Sequence, residues 1–155
     1  MSKGPNTAGV VAFPPLIYGI PLLTTLIVDR VTSKKRLPAP LRLLSIGFFA
    51  AAASVMAPSF REFGKAQTPV DPFEETTALV QSGPYAYTRN PIYVGLTLAY
   101  AGVAFAAGSG LSLAALPVIV RFMNAGVIER EERYLEQKFG EQYRRYKAKA
   151  PRWLY

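Results

Sequence analysis

Charged residues are absent from three long stretches of the chain. Ala8 to Val28 carries none and closes at Asp29 and Arg30. Leu43 to Phe60 carries none and is entered through Pro38, Pro40 and Arg42. Pro91 to Val120 carries none and is interrupted only by Gly108-Ser109-Gly110. A bilayer core of roughly 30 Å takes about 20 helical residues, a length that the first two runs meet. The third is too long for one helix and has a turn signal in its middle, which predicts a hairpin: Ile92 to Ala107, the turn, then Leu111 to about Gly126. Pro14, Pro15, Pro21 and Pro117 lie inside these runs; a membrane helix tolerates proline where its neighbours re-satisfy the backbone. The expectation is an all-α integral membrane protein with four transmembrane helices, the third and fourth as a hairpin, followed by a C-terminal cytoplasmic or interfacial helix. A soluble all-helical protein with unusually apolar helices is the competing reading.

Charge adds an orientation. Lys and Arg number 18 against 10 Asp and Glu, a formal net charge of +8. Half the residues are hydrophobic and only 18% are charged, which is unlike a nucleic-acid binder with its basic charge on a polar surface. Much of the positive charge sits in one tail: Arg130, Arg133, Lys138, Arg144, Arg145, Lys147, Lys149 and Arg152. Four crossings put the N-terminus, the segment from Ser59 to Asn90 and this tail on one side, and the positive-inside rule assigns that side to the cytoplasm. Arg30, Lys34, Lys35, Arg36 and Arg42 then fall on the opposite side, against the same rule. The chain has no Cys and no His, which excludes a disulfide framework, a zinc site of the usual kind and any cysteine or histidine catalyst. Neither nucleic acid nor metal is expected as a partner.

Two polar segments carry candidate chemistry. In the first, Thr76 to Val80 is extended in character and Ser82-Gly83-Pro84 is a turn. Asn90 precedes Pro91, so its backbone is pushed out of the helical region and Pro91 suits the first turn of a helix. Asn90 is thus a candidate N-cap, and the free N–H groups behind it attract carboxylate or phosphate oxygens. Arg89 adds a bidentate positive fork there; the plainer reading is a snorkelling arginine at the lipid surface. In the second segment, Ile128, Glu132, Leu135, Phe139, Tyr143 and Tyr146 recur at steps of three or four and form one helical stripe. Glu132 falls inside this stripe and Glu131 beside it. Acids at such a place are costly unless they meet a cation or a donor, and Arg89, Arg121 and Arg133 are candidate partners. Gly140 is expected to end or bend this helix, and the basic tail with Trp153 and Tyr155 reads as an interfacial anchor.

Leu79-Val80-x-x-Gly83-Pro84-Tyr85-x-x-x-Arg89-Asn90-Pro91-x-Tyr93-x-Gly95 resembles the signature of the isoprenylcysteine carboxyl methyltransferase family, which is related to the phospholipid methyltransferases. Glu131-Glu132-x-x-Leu135-x-x-x-Phe139-Gly140-x-x-Tyr143-x-x-Tyr146 with Pro151-Arg152-Trp153 is similar to its C-terminal block. The resemblance covers roughly residues 60 to 155. It implies a single membrane methyltransferase domain over 1–155, with the first two helices in 1–58 and the cofactor-binding and catalytic part in 59–155. It implies S-adenosylmethionine as cofactor, with Thr77, Ala78, Leu79 and Val80 along the adenosine, Tyr85 beside them, and Asn90, Pro91, Ile92 and Tyr93 closing the pocket. Glu131 is the position that the family assigns to cofactor binding. Glu131, Glu132 and Arg89 are the candidate catalytic residues, since the cofactor's carboxylate needs donors and its ammonium and sulfonium need acceptors or π-faces.

The chain departs from the family pattern at two places. Most members have His where this chain has Asn90, so a mechanism that uses that imidazole as a base is excluded. Eukaryotic members place Arg four residues before the first Glu, where this chain has Val127; Arg121 and Arg152 are the possible substitutes. The resulting expectation is methyl transfer to a lipophilic acceptor (carboxylate, thiol or amine) at the cytoplasmic face of a bacterial inner membrane, with membrane lipids as partners. A non-catalytic membrane protein of the same fold and a nicotinamide-dependent membrane reductase are the alternatives.

Overall fold

Prolines and glycines punctuate the apolar runs and set where each helix begins and ends. The computed structural model of the chain describes residues 7–32 and 36–154, and among these there is no β-strand. Helix α1 spans Pro14–Thr32. Pro14 and Pro15 therefore start the helix, where the missing N–H costs nothing, and residues 8–13 run ahead of it as irregular chain. A short helix α2 (Ala39–Arg42) leads into α3 (Leu44–Ala66), which continues past the apolar run through Arg61 and Glu62. After an irregular segment and a 3-10 turn at Gly83–Ala86 come α4 (Pro91–Ala107) and α5 (Gly110–Met123). The hairpin between them turns at Gly108, and the hydroxyl of Ser109 caps α5 by accepting from the Ser112 N–H at 3.1 Å. A π-helical turn, Asn124–Ile128, joins α5 to α6 (Glu129–Phe139), and α7 is Glu141–Lys149. Gly140 separates the last two with a φ of 53°, a conformation that costs a glycine little.

Among the described residues three helices are long and apolar enough to cross a membrane: Pro14–Thr32, Ala39–Ala66 and the continuous 30-residue helix Gly110–Phe139. The expected fourth crossing, Pro91–Ala107, is apolar but has 17 residues, a rise of about 25 Å against a core of roughly 30 Å. Helix α4 is nevertheless the centre of the bundle. It packs on α3, α1 and α5, whereas α1 and α3 flank it without packing extensively on each other. The interior is tied by small polar pairs, Tyr18 with Thr97 and Thr25 with Ser112, each at 2.8 Å. Phe48 stacks on Phe105 at 5.1 Å. Exposed Leu16, Ile20, Leu23 and Ile27 form an outward apolar face on α1, as a lipid-facing helix requires.

The basic connection between the first two long helices has a structural use. Arg42 Nε donates to the Ala106 carbonyl at 3.1 Å, and its side chain packs beside Gly108. It thus satisfies a backbone acceptor at the C-terminal end of α4, where a cation also meets the favourable end of the helix dipole. Lys34 and Lys35 lie outside the described residues.

Candidate active site

The N-terminal end of α1, the C-terminal half of α3, the start of α4 and the start of α6 meet at one end of the bundle. They enclose, with the segment 69–80, a cavity of about 370 Å³. Of the residues singled out in the first polar segment, Ala78, Leu79, Val80, Tyr85 and Arg89 line it. So do Asn90, Ile92 and Tyr93 from the start of α4, and Glu131 and Glu132 from α6. Two expected residues stand back from it. Thr77 is turned to the preceding loop, its N–H donating to Thr68 Oγ1 at 2.9 Å and its hydroxyl to the Gln67 carbonyl at 3.2 Å. Pro91 is fully buried behind the wall.

The paired acids divide. Tyr93 donates its hydroxyl hydrogen to Glu131 Oε1 at 2.6 Å, and among the described residues the second oxygen of Glu131 takes no hydrogen bond. Glu132 is saturated. Its Oε1 accepts from Arg89 at 2.7 Å and from Arg152 Nε at 3.0 Å, and its Oε2 accepts from a terminal nitrogen of Arg152 at 2.8 Å. The Arg89 and Glu132 side chains are both deeply buried, 9% and 8% exposed. The candidate partners Arg121 and Arg133 are not those that Glu132 uses; Arg89 and Arg152 are. A half-charged arrangement here would leave a buried ion uncompensated, at a cost of several kcal/mol.

Arg89 is committed to the protein itself. One terminal nitrogen donates to the carbonyls of Lys147 and Ala150, each at 3.0 Å, the other holds Glu132, and its Nε is buried without a partner among the described residues. The neighbouring backbone and side chains grip the same tail: Arg89 N–H donates to the Pro151 carbonyl at 2.8 Å, and Thr88 Oγ1 to the Arg152 carbonyl at 3.0 Å. Asn90 was expected to cap α4, but its side chain makes no cap bond; Nδ2 donates to the Arg152 carbonyl at 2.9 Å instead. Trp153 completes the seam by donating Nε1–H to Asn124 Oδ1 at 2.9 Å, on the π-helical turn. Residues 150–153 are thus stitched onto the site; Tyr155 lies outside the described residues. The physical reason is that the carbonyls at the end of α7 and in the tail have no helical partner, and the side chains of Thr88, Arg89 and Asn90 with the Arg89 N–H satisfy them.

Aromatic residues form the remaining polar-edged wall. Tyr85, Tyr143 and Tyr146 pack with Val80 and Ala150 in one buried cluster, and Tyr146 donates to the Tyr85 carbonyl at 2.8 Å. Burial raises the hydroxyl pKa of all three above the ordinary tyrosine value, with the Glu132 charge adding to it at Tyr143 and the Tyr146 and Glu131 charges adding to it at Tyr85. Phe13, Met56 and Phe60 also line the cavity. Sequence reasoning passed over them because an apolar side chain that lines a cavity has the same signature as one that faces lipid.

A model of the family described as phospholipid methyltransferase matches residues 41–142 of the chain. An uncharacterized protein of Haemophilus influenzae is 40% identical over 63 residues, 41% of this chain and 100% of that protein. The protein-S-isoprenylcysteine O-methyltransferase of Schizosaccharomyces pombe is 34% identical over 73 residues, 47% of this chain but only 31% of the yeast protein. No solved structure matches the chain. The matched stretch holds α3, the whole 69–95 segment, the α4–α5 hairpin and both acids. With apolar helices of membrane-spanning length around a cavity built from these segments, the chain belongs to the phospholipid methyltransferase family of integral membrane proteins.

Proposed function

We propose that the chain binds S-adenosylmethionine in this cavity and methylates a lipophilic acceptor drawn from the bilayer. The observation that carries the reading is Glu131, a carboxylate on the cavity wall with one oxygen fixed by Tyr93 and the other open to a ligand. Among the described lining residues, Asp71, Glu131 and Glu132 stand against Arg89. An anionic lining suits a cofactor whose ammonium and sulfonium outweigh its carboxylate. Leu79, Val80 and Phe63 offer an apolar surface for the adenosine, and the volume falls in the range of small-molecule sites.

When bound, the cofactor supplies an electrophilic methyl group. The chain's part is to hold the ligand by Glu131, present the Tyr85 and Tyr143 rings to its positive charge, and keep water out with apolar walls. The charge pattern also bears on the acceptor. Arg89 is occupied by tail carbonyls and Glu132, and neither Arg121 nor Arg152 lines the cavity. Arg89 is the one cation among the described lining residues, and both its terminal nitrogens are taken, so a carboxylate acceptor gains little charge-assisted binding there, whereas an amine or thiol needs none. The basic tail and the cavity share one end of the molecule, which the positive-inside rule assigns to the cytoplasmic face of a bacterial inner membrane.

Calorimetric titration of the protein in lipid nanodiscs tests this reading. S-adenosylmethionine and S-adenosylhomocysteine are expected to bind saturably, and reduced nicotinamide dinucleotides to give no heat. Absence of binding by both adenosyl ligands would overturn it.

A further inference from the structure

The irregular chain ahead of α1 is not a loose end. Val10 is buried in the core beside Met123, Val127 and Tyr100. Val11 N–H donates to the Gly126 carbonyl at 3.2 Å, and Arg130 donates to the Gly9 carbonyl at 3.0 Å. Both anchors belong to the stretch that carries the site: Gly126 lies in the π-helical turn, and Arg130 precedes Glu131. A π turn breaks the regular ladder and turns a carbonyl outward, and here Val11 takes it. Gly126 also leaves the room, since a Cβ at that position would lie 2.8 Å from Val11 Cγ2.

This seated strap delivers Phe13 to the cavity. Phe13 lines the cavity and is still 43% exposed, so one face of its ring borders the interior and the other the outside. Met56 and Phe60 of α3 line the same cavity, and α1 and α3 flank α4 without packing extensively on each other. Resting on the reading of the cavity as a methyltransferase site, we propose that Phe13 is a specificity-determining residue that sets the bulk of the hydrocarbon group admitted between α1 and α3. The strap's anchors make Phe13 a fixed jamb, so the width of the opening follows from the size of the side chain at this one position.

The test compares wild type, Phe13→Ala and Phe13→Trp in phosphatidylcholine nanodiscs saturated with S-adenosylhomocysteine, with farnesylamine and dodecylamine as the probes. Binding is read by calorimetry. The affinity ratio of the branched to the straight-chain amine is expected to rise by about fivefold or more in Phe13→Ala and to fall in Phe13→Trp, since pocket contacts of this size discriminate by such factors. S-adenosylhomocysteine affinity, measured first, is expected to stay within about twofold in all three, which also shows that the variants fold. An unchanged ratio, or no binding of either amine, with S-adenosylhomocysteine affinity intact, overturns the role of Phe13 alone. Wild-type protein that fails to bind S-adenosylhomocysteine overturns the methyltransferase reading and this inference together.

Discussion

The Tyr93 hydroxyl, in the first turn of α4, donates to Glu131 Oε1 of α6 at 2.6 Å. One oxygen of this cavity-lining carboxylate is thereby held. Glu131→Gln is expected to weaken S-adenosylhomocysteine binding by about tenfold or more, equivalent to about 1.4 kcal/mol, while leaving thermal unfolding nearly unchanged. Tyr93→Phe removes the orienting donor but keeps the charge, and its effect on affinity is expected to be smaller. Calorimetry on both variants checks the order.

Glu132, one residue on, predicts the opposite balance. Its carboxylate forms a buried pair with Arg89 and reaches the half-buried Arg152, which ties the start of α4, α6 and the tail together. Glu132→Gln leaves two arginines facing each other, and the expected loss of stability is about 3–5 kcal/mol, typical of one-sided removal from a buried pair. Combining it with Arg152→Met should recover part of that loss. The check is the unfolding midpoint of the single and double variants in detergent. A Glu132→Gln protein with wild-type stability but no ligand binding would mean that the acids have been assigned the wrong way round.

The buried tyrosines predict a limit at alkaline pH. Burial raises Tyr85, Tyr143 and Tyr146 above the value that an unfolded tyrosine has. Below about pH 10 both folded and unfolded chains keep these hydroxyls protonated, and their contribution to stability is fully present. Above it the unfolded chain releases protons that the folded one retains, so stability falls as pH rises. Unfolding midpoints followed from pH 8 to 11 should decline at the upper end, less steeply for Tyr143→Phe.

The α3–α4 contact predicts which glycines tolerate a side chain. A Cβ on Gly102 would lie 2.9 Å from Phe49 Cε1, whereas nothing lies within 4 Å of the same position on Gly19. Gly102→Val is expected to cost about 1–3 kcal/mol by overpacking, and Gly19→Ala to be neutral or stabilising. Thermal unfolding of the two variants side by side measures the difference.

How far the sequence carried depended on whether a feature had a side-chain signature. The helix hairpin was legible because Gly108-Ser109-Gly110 interrupts an otherwise unbroken apolar run, and the lining residues Tyr85, Arg89, Asn90, Tyr93, Glu131 and Glu132 were legible because they are polar or aromatic at fixed spacing. The seam that holds the tail was not, because its acceptors are the backbone carbonyls of Lys147, Ala150, Pro151 and Arg152, which any residue supplies. That seam turns Arg89 inward to the protein and draws Asn90 away from the helix end. The strap at residues 8–13 was equally hidden, since its apolar residues merge with those of α1 and only Pro14 marks the boundary. The expected crossing by α4 rested on its uncharged run and the turn after it, and at 17 residues it is shorter than the three long apolar helices.

The most direct measurement supplies methyl-labelled S-adenosylmethionine to nanodisc protein together with a total bacterial lipid extract and counts the label recovered in the organic phase. The account predicts transfer by the wild type, with the label on an amine or thiol, and little or no transfer by Glu131→Gln. Equal recovery from wild type and Glu131→Gln, or none from a wild type that binds S-adenosylhomocysteine, would contradict it.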